Sequence, residues 1–114
     1  MNQSPEDKCM MRRLRLAREN AGLTQTQAAK ILDVRRPSIV EIEKGRRRVT
    51  ADELRRFSDI YKVPLQWLAC AEQEDSDEES DRIELAAREL AKLRKEDLDR
   101  VLDLLSVFRG DKSA

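Results

Sequence analysis

The chain has 114 residues, of which 40% are charged and 4% aromatic, with no histidine and a formal net charge of zero. That supports one small aliphatic core plus an appendage and excludes a large multidomain enzyme. Without histidine, the commonest general base and the commonest zinc ligand are both missing. No apolar run approaches a membrane span, and the N-terminus has no signal-peptide core. The expectation is a cytoplasmic protein with no metal, no cofactor and no membrane partner. Cys9 and Cys70 match no zinc spacing and make no disulfide framework, so they read as a pair of reduced thiols.

The zero net charge averages two opposite halves. Residues 1–71 carry 15 Lys and Arg against 9 Asp and Glu, and residues 72–114 carry 8 against 14. A basic half suits a polyanion, and an acidic half implies a different task.

In chain order, Ser4 is a predicted N-cap, with Pro5 in the first helical position and Glu6 and Asp7 at the positive end of the helix dipole. Leu14 and Ala17, with Met10 or Met11, supply the apolar stripe, and Ala21-Gly22 ends this helix. Thr24 and Gln27 have capping-box spacing and open a second helix through Ala28, Ala29, Ile31 and Leu32. Asp33-Val34 is a tight turn, at which Asp tolerates the left-handed backbone. A third helix runs from about Arg36 to Lys44 and accepts Pro37 because it lies in the first turn. Gly45 stops it, and Arg46-Arg47-Arg48-Val49 follow as a connector. Thr50 and Glu53 form a second capping box, opening a fourth helix through Leu54, Phe57 and Ile60. Pro64 begins a short fifth helix carrying Leu65, Trp67 and Leu68, with Trp67 read as core.

Residues 72–81 hold seven acids and no apolar side chain, which predicts a solvated linker with little reason to fold. Beyond it, Ile83, Ala86, Ala87, Leu90 and Leu93 share one helical face, continued by Leu98, Val101, Leu102, Leu105 and Phe108. Lys95-Glu96-Asp97 is a candidate break between two helices.

The specific signal lies between Gln25 and Lys44. Ala29, four residues after Gln25, lets two helices approach closely. Ile39 and Ile42 face inward from the third helix, which leaves Arg35, Arg36, Ser38 and Glu41 at its start and outer face. Such a helix fits a groove about one helix wide. The stretch LTQTQAAKILDVRRPSIVEIEKG resembles the helix-turn-helix of the XRE family, to which lambda-type phage repressors and Cro belong, and the likeness covers roughly residues 12–70.

The resemblance implies an all-α fold with a five-helix lambda-repressor-like domain over 1–71, to which charge and periodicity add an acidic linker over 72–81 and an amphipathic helical tail over 82–114. It implies a sequence-specific regulator of double-stranded DNA, a repressor acting as a dimer on a pseudo-palindromic operator, and not an enzyme. By position, Arg35, Arg36, Ser38 and Glu41 would face base edges. Gln25 would bind a phosphate and buttress the recognition helix, with further phosphate contacts from Thr24 or Thr26. Arg18 and Glu43 match a buried pair that ties the first helix to the third. The chain departs from the family pattern at Asp33, usually Gly, at Arg35, often a small cap, and at Pro37, often a base-contact position.

Arg46, Arg47 and Arg48 lie just past the recognition helix, where a phosphate backbone would run. They would supply affinity and salt dependence rather than base preference. The tail stripe of Ile83, Leu90, Leu98, Val101, Leu102, Leu105 and Phe108 is a candidate dimer seam, because an isolated helix of this size is marginal in water. The run VTADELRRFSDIYKVPLQWL also resembles XRE domains found with protein partners. The alternative is therefore an antitoxin, or a repressor removed by a metalloprotease, whose tail binds that toxin or protease.

Overall fold

The computed structural model describes residues 5–70 and 77–110. Among them are seven helices and no strand: α1 (Pro5–Asn20), α2 (Gln25–Leu32), α3 (Arg36–Glu43), α4 (Ala51–Tyr61), α5 (Leu65–Ala69), α6 (Glu78–Ala91) and α7 (Lys95–Phe108). The chain forms two compact units, Met1–Arg82 and Ile83–Ala114.

In the first unit, local chemistry sets the helix ends. Thr24 Oγ1 accepts from the Gln27 backbone N–H at 3.1 Å, and Gln27 Oε1 accepts from the Thr24 N–H at 2.8 Å. Thr50 and Glu53 repeat this box at the start of α4, at 3.1 and 3.0 Å. Each box satisfies two N–H groups that a helix start leaves without partners. Asp33 ends α2 in the left-handed region at φ 58°, and the Val34 N–H then returns to the Ala29 carbonyl at 2.9 Å. Lys62 ends α4 the same way, and Gly45 follows α3 at φ 78°. The proposed Ser4 cap lies outside the described residues.

These turns fold five amphipathic helices around one core. Leu14, Leu16 and Ala17 of α1, Ala28, Ala29 and Leu32 of α2, and Ile39 and Ile42 of α3 are buried. Leu54, Phe57 and Tyr61 of α4 and Trp67 and Leu68 of α5 complete it. α2 lies against α3, and α1 packs on α3, α4 and α5. Arg56 of α4 donates to the Leu32 carbonyl, closing the end of α2.

Two expectations are corrected here. The acidic stretch was expected to stay solvated through residue 81. Residues 72–76 lie outside the described residues, but Glu78–Asp81 form the first turn of α6, and the Asp77 side chain accepts from the Ser80 N–H at 2.8 Å. Asp81 is 0% exposed, and its two oxygens accept from Arg12 Nε at 2.7 Å and Arg13 Nε at 3.1 Å. Composition counts charges without their partners. Acids at a helix N-terminus are favoured by the dipole, and a buried carboxylate is tolerated between two guanidiniums. Arg15 adds a second tie, to Glu78 at 2.5 Å.

The second correction concerns the cysteines. Cys9 and Cys70 are joined by a disulfide, not present as two thiols, and their Cα atoms are 6.2 Å apart. Sequence spacing carries no trace of this proximity. It follows from α1 packing across α5, which brings the two residues within bonding reach.

In the second unit the helix break falls at residues 92–94, just before the expected Lys95-Glu96-Asp97. Arg94 is the extended N-cap of α7, and Glu96 and Asp97 sit in its first turn, where the dipole favours acids. α7 buries none of its residues. Ile83, Leu102, Leu105 and Phe108 are exposed, with Phe108 at 76%, and Leu90, Leu98 and Val101 are half-buried.

Candidate nucleic-acid interface

The interface is built from the α2–α3 pair upward. Ala28 and Ala29 keep the inner face of α2 low, so α3 crosses closely over it. Ile39 and Ile42, 1% and 3% exposed, fix the inner face of α3. The opposite side of α3 is polar. Arg35 and Arg36 at its N-terminal end are exposed, and Ser38 and Glu41 are half-buried. Arg35 is the N-cap residue with extended backbone and makes no side-chain cap hydrogen bond. The positive end of the α3 dipole and two guanidiniums therefore face the same way as the free helix end.

A side-chain chain runs from α1 to that end. Arg18 Nε donates to Glu43 Oε2 at 2.7 Å, Arg18 Nη2 donates to Glu43 Oε1 at 3.1 Å, and Arg18 Nη1 donates to the Leu23 carbonyl at 2.8 Å. Hydrogen bonding to the Glu43 carboxylate holds the Arg18 pKa above its ordinary value. Gln25 Nε2 donates to Glu43 Oε1 at 3.1 Å, and Gln25 Oε1 accepts from Arg36 Nη2 at 3.4 Å. Gln25 thus stands between the buried pair and the exposed Arg36. Burial, with the Glu43 charge as a smaller contribution, pushes the nearby Tyr61 phenol well above the ordinary range.

The flanking cations are less uniform than their sequence suggests. Arg46, Arg47 and Arg48 are all exposed. Arg47 forks onto Glu53, with Nη1 and Nη2 donating at 3.1 and 2.7 Å, and Arg46 lies 3.9 Å from Glu41. Hydrogen bonding from Arg47, reinforced by Thr50, holds the Glu53 carboxyl below its usual range. Thr24 and Thr26 are exposed at the start of α2, and Thr24 already caps that helix through its oxygen, which leaves its hydroxyl proton to donate.

Sequence reasoning paired Arg18 with Glu43 and singled out Gln25 and Arg36 apart from them, and the fold joins all four into one chain. It missed Arg12, Arg13 and Asp81, whose partners lie 68 and 69 residues apart. Local pattern gives no signal at that separation.

The Helix-turn-helix family model matches residues 14–68. Residues 14–68 are an XRE-type helix-turn-helix domain. The protein is accordingly a DNA-binding helix-turn-helix regulator, and this domain is a regulatory rather than a catalytic one. The XRE-type domain takes in α2 to α5 and the second half of α1, and stops short of Cys9, Arg12, Arg13, Cys70 and Asp81. Comparison with curated proteins and with solved structures gave no match. No helix among the described residues is long and apolar enough to cross a membrane, and no cluster of His, Cys, Asp or Glu among them is placed to hold a metal ion.

Proposed function

We propose that the protein is a cytoplasmic transcriptional repressor that binds a pseudo-palindromic operator as a homodimer. The observation that carries this reading is the two-sided build of α3, with Ile39 and Ile42 buried beneath and Arg35 and Arg36 exposed at its N-terminal end. A helix so presented enters the major groove with its first residues at the base edges. Arg36 reads guanine through O6 and N7, and Arg35, Ser38 and Glu41 complete the base-facing set. Gln25, Thr24 and Thr26 hold one phosphate strand. Arg46, Arg47 and Arg48 approach the backbone beyond α3, and Arg47 exchanges Glu53 for phosphate when DNA arrives.

The dimer reading rests on α7, which buries none of its residues and leaves Leu102, Leu105 and Phe108 exposed. A second copy covers them and doubles the DNA contact. The deciding experiment selects bound fragments from random DNA with the wild-type chain and with Arg36→Ala. The wild type should return an inverted repeat, and Arg36→Ala should lose preference at one or two positions per half-site, a change of about 1–3 kcal/mol in discrimination. Selection of no common sequence would overturn the reading.

A further inference from the structure

The two cysteines flank the matched domain in sequence, one on either side of it. Cys9 lies on α1, and Cys70 is the C-cap of α5 in the left-handed region. Their bond spans a sequence separation of 61 residues and so encloses α2, α3, α4 and α5 in one covalent loop.

A second set of ties joins the same two segments. Arg13 is one helical turn after Cys9, and Trp67 is three residues before Cys70. The Arg13 guanidinium stands 4.6 Å over the Trp67 ring centroid, and its Nη1 donates to the Trp67 carbonyl at 2.6 Å. Arg13 Nε donates to the buried Asp81. None of these contacts involves sulfur, so they remain when the S–S bond is broken. They hold α1 and the end of α5 in register and keep the two thiols within reach of each other. That is the geometry of a couple that re-forms its bond.

We propose that Cys9 and Cys70 are a reversible dithiol–disulfide pair that sets the temperature up to which the domain stays folded and, on the reading above, keeps its operator. The partner is a low-molecular-weight thiol and its disulfide. One small thiolate attacks the sulfur of Cys9, forms a mixed disulfide and expels the Cys70 thiolate, which takes up a proton. A second small thiolate attacks the small-molecule sulfur of that mixed disulfide, so the small disulfide leaves and the Cys9 thiolate is released and protonated. Two electrons pass from two small thiols to the protein, and oxidation is the same exchange reversed. Both cysteines are buried, so exchange waits on opening of the five-residue α5 and is slower than for an exposed pair.

The consequence is thermal. Closing so long a loop restricts the unfolded chain, and losing that restraint lowers the melting temperature of a domain this size by roughly 10 °C or more. The operator-facing end of α3 is held by Arg18, Glu43 and Gln25 rather than by sulfur, so both forms bind the operator equally well below their own melting points.

The test equilibrates the full chain in glutathione buffers from fully reduced to fully oxidised. Alkylation and mass measurement then count free thiols, and melting is followed with and without operator. The expected result is a single step between two free thiols and none, with melting lower by roughly 10 °C in the reduced form. The Cys9→Ala/Cys70→Ala variant should melt at the reduced temperature in every buffer. Two free thiols in fully oxidised glutathione, a disulfide reduced only after unfolding, or a melting point indifferent to the buffer would each overturn the proposal. Thiol counts and melting contain no DNA, so they succeed or fail independently of the operator reading.

Discussion

Arg18 of α1 forks onto Glu43, the last residue of α3, with nitrogen–oxygen distances of 2.7 and 3.1 Å. The pair is nearly enclosed, and Gln25 reaches from it to Arg36. A charge buried under the core thus steadies the side chain at the open end of the candidate recognition helix.

Removing half of that pair should be costly. Glu43→Gln leaves the Arg18 guanidinium buried without its counter-charge and should destabilise the domain by about 3 kcal/mol, measured by urea unfolding. Replacing both partners by apolar groups, Arg18→Met with Glu43→Leu, should recover most of that loss, because the desolvation of two charges disappears with them. A single variant as stable as wild type would show that the pair is not the structural tie described.

The α2–α3 turn offers a test of backbone rather than charge. Asp33 sits at φ 58° and ψ 46°. Asp33→Gly should be neutral or slightly stabilising, because glycine adopts this conformation freely. Asp33→Val should cost about 1–2 kcal/mol, because a β-branched side chain crowds the left-handed backbone. Thermal melts of the two variants check the order.

How much of this was legible in the sequence follows from range. Capping boxes at Thr24 and Thr50, the left-handed Asp33, the stop at Gly45 and the inward Ile39 and Ile42 are decided within a few residues, and each was readable. The left-handed backbone at Lys62 and Cys70 was not, since neither is a residue type that marks such a turn. Asp81 lay hidden in a run of acids that composition marks as solvated, and only the fold sets it beneath Arg12 and Arg13. The disulfide is the extreme case, because two cysteines so far apart have no local signature. At the candidate interface the residue types were legible, but the pairing of Arg47 with Glu53 was not.

That pairing gives a pH dependence. The Glu53 carboxyl is held below its ordinary value of 4.5, first by hydrogen bonding from Arg47. A depressed folded pKa means the stabilisation is fully present above the unfolded value and is lost as pH falls through the folded one. Stability should therefore decline on acidification below about pH 4.5. Glu53→Gln, which keeps the capping box but removes the charge, should show a shallower decline, read from melting temperatures between pH 3 and 6. Identical pH profiles would assign the acid sensitivity elsewhere.

The tail can be tested without touching the DNA-binding unit. Leu102→Glu with Leu105→Glu places charge on exposed apolar positions of α7 and should turn the proposed dimer into a monomer in light scattering at tens of micromolar. Operator affinity should fall by tenfold or more as the second half-site is lost, while binding to a single half-site stays unchanged. A wild-type chain already monomeric at that concentration with full operator affinity would transfer the apolar face to a partner protein.

The most direct measurement on α3 is methylation interference on the selected operator. Methylating guanine N7 fills the major-groove edge that Arg36 is taken to read, and methylating adenine N3 marks the minor groove. Binding should be blocked by N7 methylation at one or two guanines in each half-site, and Arg36→Ala should abolish the block at one of them. Interference confined to adenine N3, with guanine N7 methylation tolerated throughout, would place the protein in the other groove and contradict the account.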